Sequence, residues 1–239
     1  MPATSHAGGE IRTPRERARA QTIADIIGLG RRHLAERGAA ALSLRAVARD
    51  LGVVSSAVYR YVGSRDELLT LLLVDAYNDL GDAVDAAVKA VPAEEFRGRF
   101  AALARAVRGW ALREPARYGL LFGSPVPGYQ APAERTTAPG TRVVISLVQI
   151  LDAAHRAARL AGRGPSAVPA PLAADLEAIR RELGVEVPDA LLARGTLVWA
   201  SLFGAVSFEV FGQYGAGTFS APDELFEHHI AVLADLAGL

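Results

Sequence analysis

Eleven arginines fall between Arg12 and Arg65, against only Glu16, Asp25, Glu36 and Asp50. That is a local surplus of seven positive charges in a chain whose 26 basic and 26 acidic residues otherwise cancel, so the remainder is acidic by the same amount. A basic head on an acidic body suits a polyanionic partner, and nucleic acid leads that class. The same count also fits a solvated face in an arginine-biased chain, since Lys89 is the sole lysine. Charge alone leaves both readings standing. Spacing adds more. Arg45 and Arg49 lie four residues apart, outward on one helix face, as a clamp on phosphates would need. At 100° per residue Ser56, Tyr59 and Arg60 cluster opposite Val58 and Val62, where they serve no core.

Other chemistries find no residues to carry them. The chain has no cysteine, which excludes thiol nucleophiles, disulfide scaffolds and thiolate zinc sites. It contains neither a GxSxG elbow nor an HExxH pair, and no Gly-Lys pair for a P-loop. Gly28-Leu-Gly30 and Gly215-Ala-Gly217 lack the preceding strand that a dinucleotide loop requires. His228 and His229 adjoin, so they are expected on different sides of a helix, as solvated surface. No cofactor or metal is expected. A composition of 51% hydrophobic and 22% charged residues is that of a globular protein.

The elements that must position these side chains follow the helical period almost throughout. Ile23, Ile26, Ile27, Gly30 and Leu34 mark a first helix, stopped by Gly38. Ser43 caps a second, with Leu44, Val47, Ala48 and Leu51 inward and Gly52 at its end. A third runs from about Ser55 to Val62, with the Ser55 hydroxyl placed to cap it and free amides at its start suited to a phosphate oxygen. Ser64 and Glu67 form a capping box opening a long fourth helix to about Lys89. Further helices are expected at about 94–113, 115–122, 140–161, 172–184, 188–212 and 222–237. Proline-rich loops at 123–139 and 162–171 are expected to be mobile. The uncharged, largely apolar run Gly195 to Phe208 holds 14 residues. A membrane span needs about 20, and no basic-then-apolar leader opens the chain, so a cytoplasmic protein is expected.

Two short helices joined by a glycine turn are the helix-turn-helix arrangement, whose second helix can enter the DNA major groove. Ser43-Leu-Arg-Ala-Val-Ala-Arg-Asp-Leu-Gly-Val-Val-Ser-Ser-Ala-Val-Tyr-Arg-Tyr-Val-Gly-Ser-Arg-Asp-Glu-Leu resembles the signature of the TetR family of bacterial repressors, over about fifty residues. The resemblance implies an all-α fold: a flexible arm (1–13), a DNA-binding head (14–63) and a helical ligand-binding and dimerisation body (64–239). It implies double-stranded DNA as a partner, a second copy of the chain as another, and a small-molecule effector. Carried over by position, Ser43 and Arg45 touch phosphates. Ser55, Ser56, Ala57 and Arg60 face bases or nearby backbone, Tyr59 and Tyr61 bond phosphates, and Arg65 anchors the start of the fourth helix. Val54 and Gly63 depart from the pattern, standing where a small polar residue and a lysine are usual.

In the body, Phe96, Phe100, Leu103, Val107 and Trp110 form one apolar stripe. Val144, Leu147, Val148, Leu151 and His155 form another, with Tyr118 and Phe122 between. A cavity among them would suit a small apolar effector, touching Phe100, Leu103, Val107, Trp110, Tyr118, Phe122, Leu147, Leu151 and His155. Residue by residue, plain core fits equally. The stretch from Trp199 to Gly212 resembles, more weakly, a tryptophan-then-glycine helix of TetR-like regulators. Gly204, Ser207, Phe208, Phe211 and Gly212 are the expected dimer contacts there, by close helix approach and aromatic area. An internal buried helix is the other reading. The reading that joins head and body is a ligand-responsive dimeric repressor. An all-helical enzyme or carrier for an apolar molecule is its rival, and leaves the basic head without a task.

Overall fold

The computed structural model describes residues 13–160 and 167–239. Apart from Thr13, the expected arm lies outside those residues, as does 162–166 of the second loop. All regular structure among the described residues is helical. The helices are α1 (Pro14–Arg37), α2 (Leu44–Asp50), α3 (Ser55–Tyr59), α4 (Arg65–Lys89), α5 (Phe96–Arg113), α6 (Pro115–Phe122), α7 (Ala133–Arg156), α8 (Ala170–Leu183), α9 (Asp189–Val210) and α10 (Pro222–Ala237). A 3-10 turn, Ala39–Ala41, precedes α2. Two compact units divide within α4: residues up to Leu72 with Val126–Tyr129, and Leu73–Pro125 with Gln130–Leu239.

Caps fix where the long helices begin. The Thr13 hydroxyl accepts from the Glu16 N–H at 3.2 Å, and the Glu16 carboxylate accepts from the Thr13 N–H at 2.7 Å. With Pro14 at the first position this is a complete capping box. The Thr-x-x-Glu spacing is its signature in the sequence. Ser64 Oγ accepts from the Glu67 N–H at 3.1 Å, as expected.

In the first unit the core is Ile26, Leu34, Leu44, Val47, Ala48, Val58, Val62, Leu68, Leu69 and Leu72, all buried. Gly30 lets α1 approach α4: a Cβ there would stand 3.2 Å from the Leu72 methyls. Residues 126–129 join this unit through Tyr129, whose hydroxyl lies 2.9 Å from Thr70 Oγ1. Thr70 is buried and spends its own proton on the Asp66 carbonyl, so Tyr129 is the donor. The first proline-rich loop is thus tied down in its middle.

That loop is also shorter than expected. α7 begins at Ala133 and runs through Pro139. Proline fits a helical φ but removes one N–H. Two neighbouring features carry the helix across it. Gly140 lies against the Tyr77 ring, where a Cβ would be 3.3 Å from Cζ. Arg142 reaches α4, donating to Asp82 at 2.8 Å, Asp85 at 2.5 Å and the Asn78 carbonyl at 3.2 Å. Its guanidinium occupies the notch of Gly81, where a Cβ would come within 2.7 Å of Cζ.

The second unit is built on Phe100, Leu103, Val107, Trp110, Tyr118, Leu147, Leu151, Val198, Leu202 and Val206. A buried cation sits among them. Arg117 is 4% exposed. It donates to Asp79 at 2.6 Å and Asp75 at 3.0 Å, with Glu114 at 3.6 Å. Asp79 also accepts from the Trp110 indole at 3.0 Å. α9 is long and apolar enough to cross a membrane by length and composition, with a mean hydropathy of 1.4 over its most apolar window. Here it is a core helix, and its Glu209 is paired with Arg108.

Replacing Arg117 with Ala removes the buried cation that faces Asp75 and Asp79, so unfolding in urea should show a loss of about 3 kcal/mol. A loss under about 1 kcal/mol would mean that the site relaxes to admit water.

Candidate nucleic-acid interface

α2 ends where the sequence demands. Gly52 adopts φ +73°. Its N–H bonds the Arg49 carbonyl at 3.1 Å, and the Val53 N–H bonds the Ala48 carbonyl at 3.0 Å. These two bonds are the Schellman closure, which needs a left-handed residue and therefore favours glycine. α3 starts two residues later and is anchored by Val58, which is buried with Val62. The Tyr61 and Val62 amides both bond the Val58 carbonyl, so a turn carries the chain on past Tyr59.

Val54, not Ser55, takes the N-cap position of α3, and no side chain caps the helix. Ser55 is its first residue, so its hydroxyl is not the expected cap. Ser43 does stand at the N-cap of α2, with extended backbone, but its hydroxyl makes no capping bond. Arg45, Arg49, Ser56, Tyr59 and Arg60 are exposed; Ser43, Ser55, Ala57, Tyr61 and Arg65 are half-buried. Three of these are engaged within the head. Arg49 Nε donates to Asp50 Oδ1 at 3.3 Å. Arg19 lies over the Tyr61 ring at 5.3 Å. Arg65 donates to the carbonyls of Ala39 at 3.0 Å and Ala40 at 3.4 Å, gripping the 3-10 turn that precedes α2.

An unforeseen pair ties α1 to α2: buried His33 Nε2 lies 2.6 Å from Asp50 Oδ2. The hydrogen bond with His33 holds the Asp50 carboxyl below its ordinary range, assisted by the charge of Arg49. Seventeen residues separate the partners. The one hint in the sequence was a histidine beside Leu34 on the apolar side of α1.

The body places its predicted residues differently. Phe100, Leu103, Val107, Trp110, Tyr118, Leu147 and Leu151 are buried in the core, while Phe122 and His155 are half-buried. The polar tips of two are satisfied internally. The Trp110 indole bonds Asp79, and the Tyr118 hydroxyl lies 2.8 Å from Ser207 Oγ and 3.3 Å from the Phe203 carbonyl. Burial pushes the Tyr118 phenol up, against the opposing pull of Ser207.

α9 and α10 frame an open groove of about 570 Å³, lined by Ser201, Gly204, Ala205, Phe208, Tyr214, His228, His229, Val232 and Leu233. Both histidines line it: they stand on different sides of α10, as expected, and neighbours about 100° apart on a helix can both border a wide opening. No group of three or more metal-ligating side chains occurs among the described residues. Gly204 faces open space, with nothing within 4 Å of an added Cβ. Phe208 and Phe211 are exposed. Ser207 instead turns to Tyr118, and Gly212 follows the end of α9 with φ +66°.

A three-helix reading head and a larger all-helical body define a class of DNA-binding regulator, and comparison with known proteins identifies the family. Residues 26–72 match the bacterial regulatory proteins of the tetR family, and residues 100–233 match the tetracyclin repressor-like C-terminal domain. The HTH-type transcriptional regulator Rv1816 of Mycobacterium tuberculosis is 51% identical over 225 residues, covering 92% of this chain and 96% of that protein. The counterpart Mb1846 of Mycobacterium bovis matches to the same extent. Among solved structures, the regulatory protein SCO4313 superimposes with a TM-score of 0.74 at 35% identity, over 93% of this chain and all of that one. A protein of unknown function from Rhodococcus sp. RHA1 shares the fold, with a TM-score of 0.68 at 21% identity over 90% of this chain and 95% of its own. The chain belongs to the TetR family of helix-turn-helix transcriptional regulators.

The depressed Asp50 carboxyl makes a signed prediction. A folded-state value below the unfolded one stabilises the protein above the unfolded value, near 4, and that stability is lost as pH falls through the folded value. Wild type should therefore exceed Asp50→Asn in stability at pH 5, with the gap closing as pH drops below about 4. Urea titrations of both proteins at pH 5, 4 and 3 measure it. A gap independent of pH would detach Asp50 from acid unfolding.

Proposed function

We propose that this regulator is a ligand-responsive repressor that binds a pseudo-palindromic operator as a homodimer and is released by a small apolar effector. The observation that carries the reading is the outward set Arg45, Arg49, Tyr59 and Arg60, exposed on two short helices and the turn that ends the second, whose other faces are buried. Arg45 and Arg49 suit phosphate contacts, which add affinity without sequence preference. Arg60, on the turn after α3, suits a base edge. The role is non-enzymatic and cytoplasmic.

The exposed groove between α9 and α10 supports pairing of two chains about these helices. Gly204 leaves room for a close helix and Phe208 supplies area, so two such faces related by a twofold axis would make a four-helix interface. In the body, Trp110 and Tyr118 have spent their hydrogen bonds inside the protein, and Leu103, Val107, Leu147 and Leu151 offer none. An effector admitted among these residues would be neutral or weakly charged, because a charged one would lose its hydration without gaining a partner. Half-buried His155 is the polar contact proposed for it. DNA and effector then oppose one another through a coupling of about 1–3 kcal/mol, roughly 5–150-fold in affinity.

Arg60→Ala should cost about 1–3 kcal/mol on the operator and relax preference at one position, whereas Arg45→Ala should weaken all duplexes alike and lower the salt slope by about one. Fluorescence anisotropy on operator and scrambled duplexes over a salt series measures both; equal losses on the two duplexes would restrict Arg60 to the backbone. Gly204→Trp places an indole in the groove and should yield monomers in sedimentation velocity. A stable Gly204→Trp dimer would put the interface elsewhere.

A further inference from the structure

Val54 has no task in the fold. It is 71% exposed, more than any other exposed large hydrophobic side chain described, and Val53 beside it is 40% exposed. Both stand in the turn between α2 and α3. Neither side chain builds that turn: Val53 closes α2 through its backbone N–H, and Val54 contributes its carbonyl, which accepts from the Ala57 N–H at 2.9 Å. At an N-cap, valine also forfeits the hydrogen bond that serine or threonine would make to the first turn. Methyl groups left in water and a cap left unmade are local costs with no local return.

The return lies in what the turn meets. Exposed Arg45, Arg49 and Arg60 surround it in sequence and attract a polyanion, while Val53 and Val54 put methyl groups on the same reading motif. In the major groove thymine is the base that offers an apolar group, its C5-methyl. Cytosine and guanine present amino and carbonyl groups there, and burying those against valine leaves them without partners. Resting on the DNA-binding reading above, we propose that Val54, backed by Val53, contacts one thymine methyl in each operator half-site and selects T·A there by apolar contact. Valine at this position is then a specificity feature: a capping bond is forgone in favour of a base contact.

In vitro selection from random duplexes with the full chain gives the operator. Each thymine is then replaced singly by deoxyuridine, which removes only the methyl. Losing one buried methyl lowers affinity about fourfold, so replacement in both half-sites should lower it about fifteenfold. Val54→Ser should bind the thymine and uracil duplexes equally, while keeping wild-type preference at the position assigned to Arg60. Serine supplies the missing cap, so the variant's unfolding temperature should not fall, which separates lost readout from lost fold. Uracil sensitivity that persists in Val54→Ser, or a wild-type operator with no uracil-sensitive thymine, overturns the proposal and leaves DNA binding intact. Failure to select any duplex overturns both this proposal and the reading beneath it.

Discussion

A guanidinium taken almost wholly out of water must be neutralised where it stands, and Arg117 sets this condition for the body. The desolvation cost of a buried ion amounts to several kcal/mol, repaid only by close and well-oriented partners. Asp75 and Asp79, one turn apart on α4, supply them, and the Trp110 indole holds Asp79 from the other side. The cluster thus joins α4, α5 and α6 at one point and fixes the register of α4 among its body neighbours. Further along the same helix Arg142 repeats the device from α7, resting in the Gly81 notch between Asp82 and Asp85. Two arginines from two helices hold four aspartates of one.

This arrangement changes the meaning of the charge distribution. The acidity of the body first looked like the counterpart of a basic head. Part of it is internal: Asp75, Asp79, Asp82 and Asp85 are acids that α4 needs in order to hold arginines from other helices. Glu209 with Arg108 and Glu227 with Arg105 do the same between α5 and the last two helices. Head arginines such as Arg45 and Arg60 are different, being exposed on the reading motif. Net charge by segment therefore could not separate charges that hold helices together from charges left exposed.

The fold was largely legible because its signals are local. The apolar period of α1, the left-handed stop at Gly52 and the Ser64 cap each act within a few residues. What escaped depends on distant partners. Pro139 reads as a helix breaker until Tyr77 and α4 are seen holding the turn that follows it, at Gly140 and Arg142. Residues 126–129 read as mobile until Tyr129 is seen bonding Thr70, 59 positions away. Trp110 and Tyr118 read as parts of apolar and aromatic faces, because sequence does not show Asp79 or Ser207 within reach of their polar tips. His33 escaped for the same reason. Periodicity says which side of a helix is buried; it does not say which polar group waits on the far side.

The reading motif shows how this division of labour serves recognition. α3 has five residues, no side-chain cap and too short a length to persist alone. Its place is set by Val58 and Val62 from below and by the Schellman closure of α2 ahead of it, with the His33–Asp50 pair bracing α2 against α1. None of these supports involves Ser56, Tyr59 or Arg60, and Val54 takes part only through its backbone. The inward residues therefore carry the cost of folding, and the outward ones are left to the partner. A substitution at buried Val58 changes whether the helix is presented at all, whereas one at exposed Arg60 leaves the core beneath it untouched. A head built this way can exchange its outward side chains while the fold stays as it is.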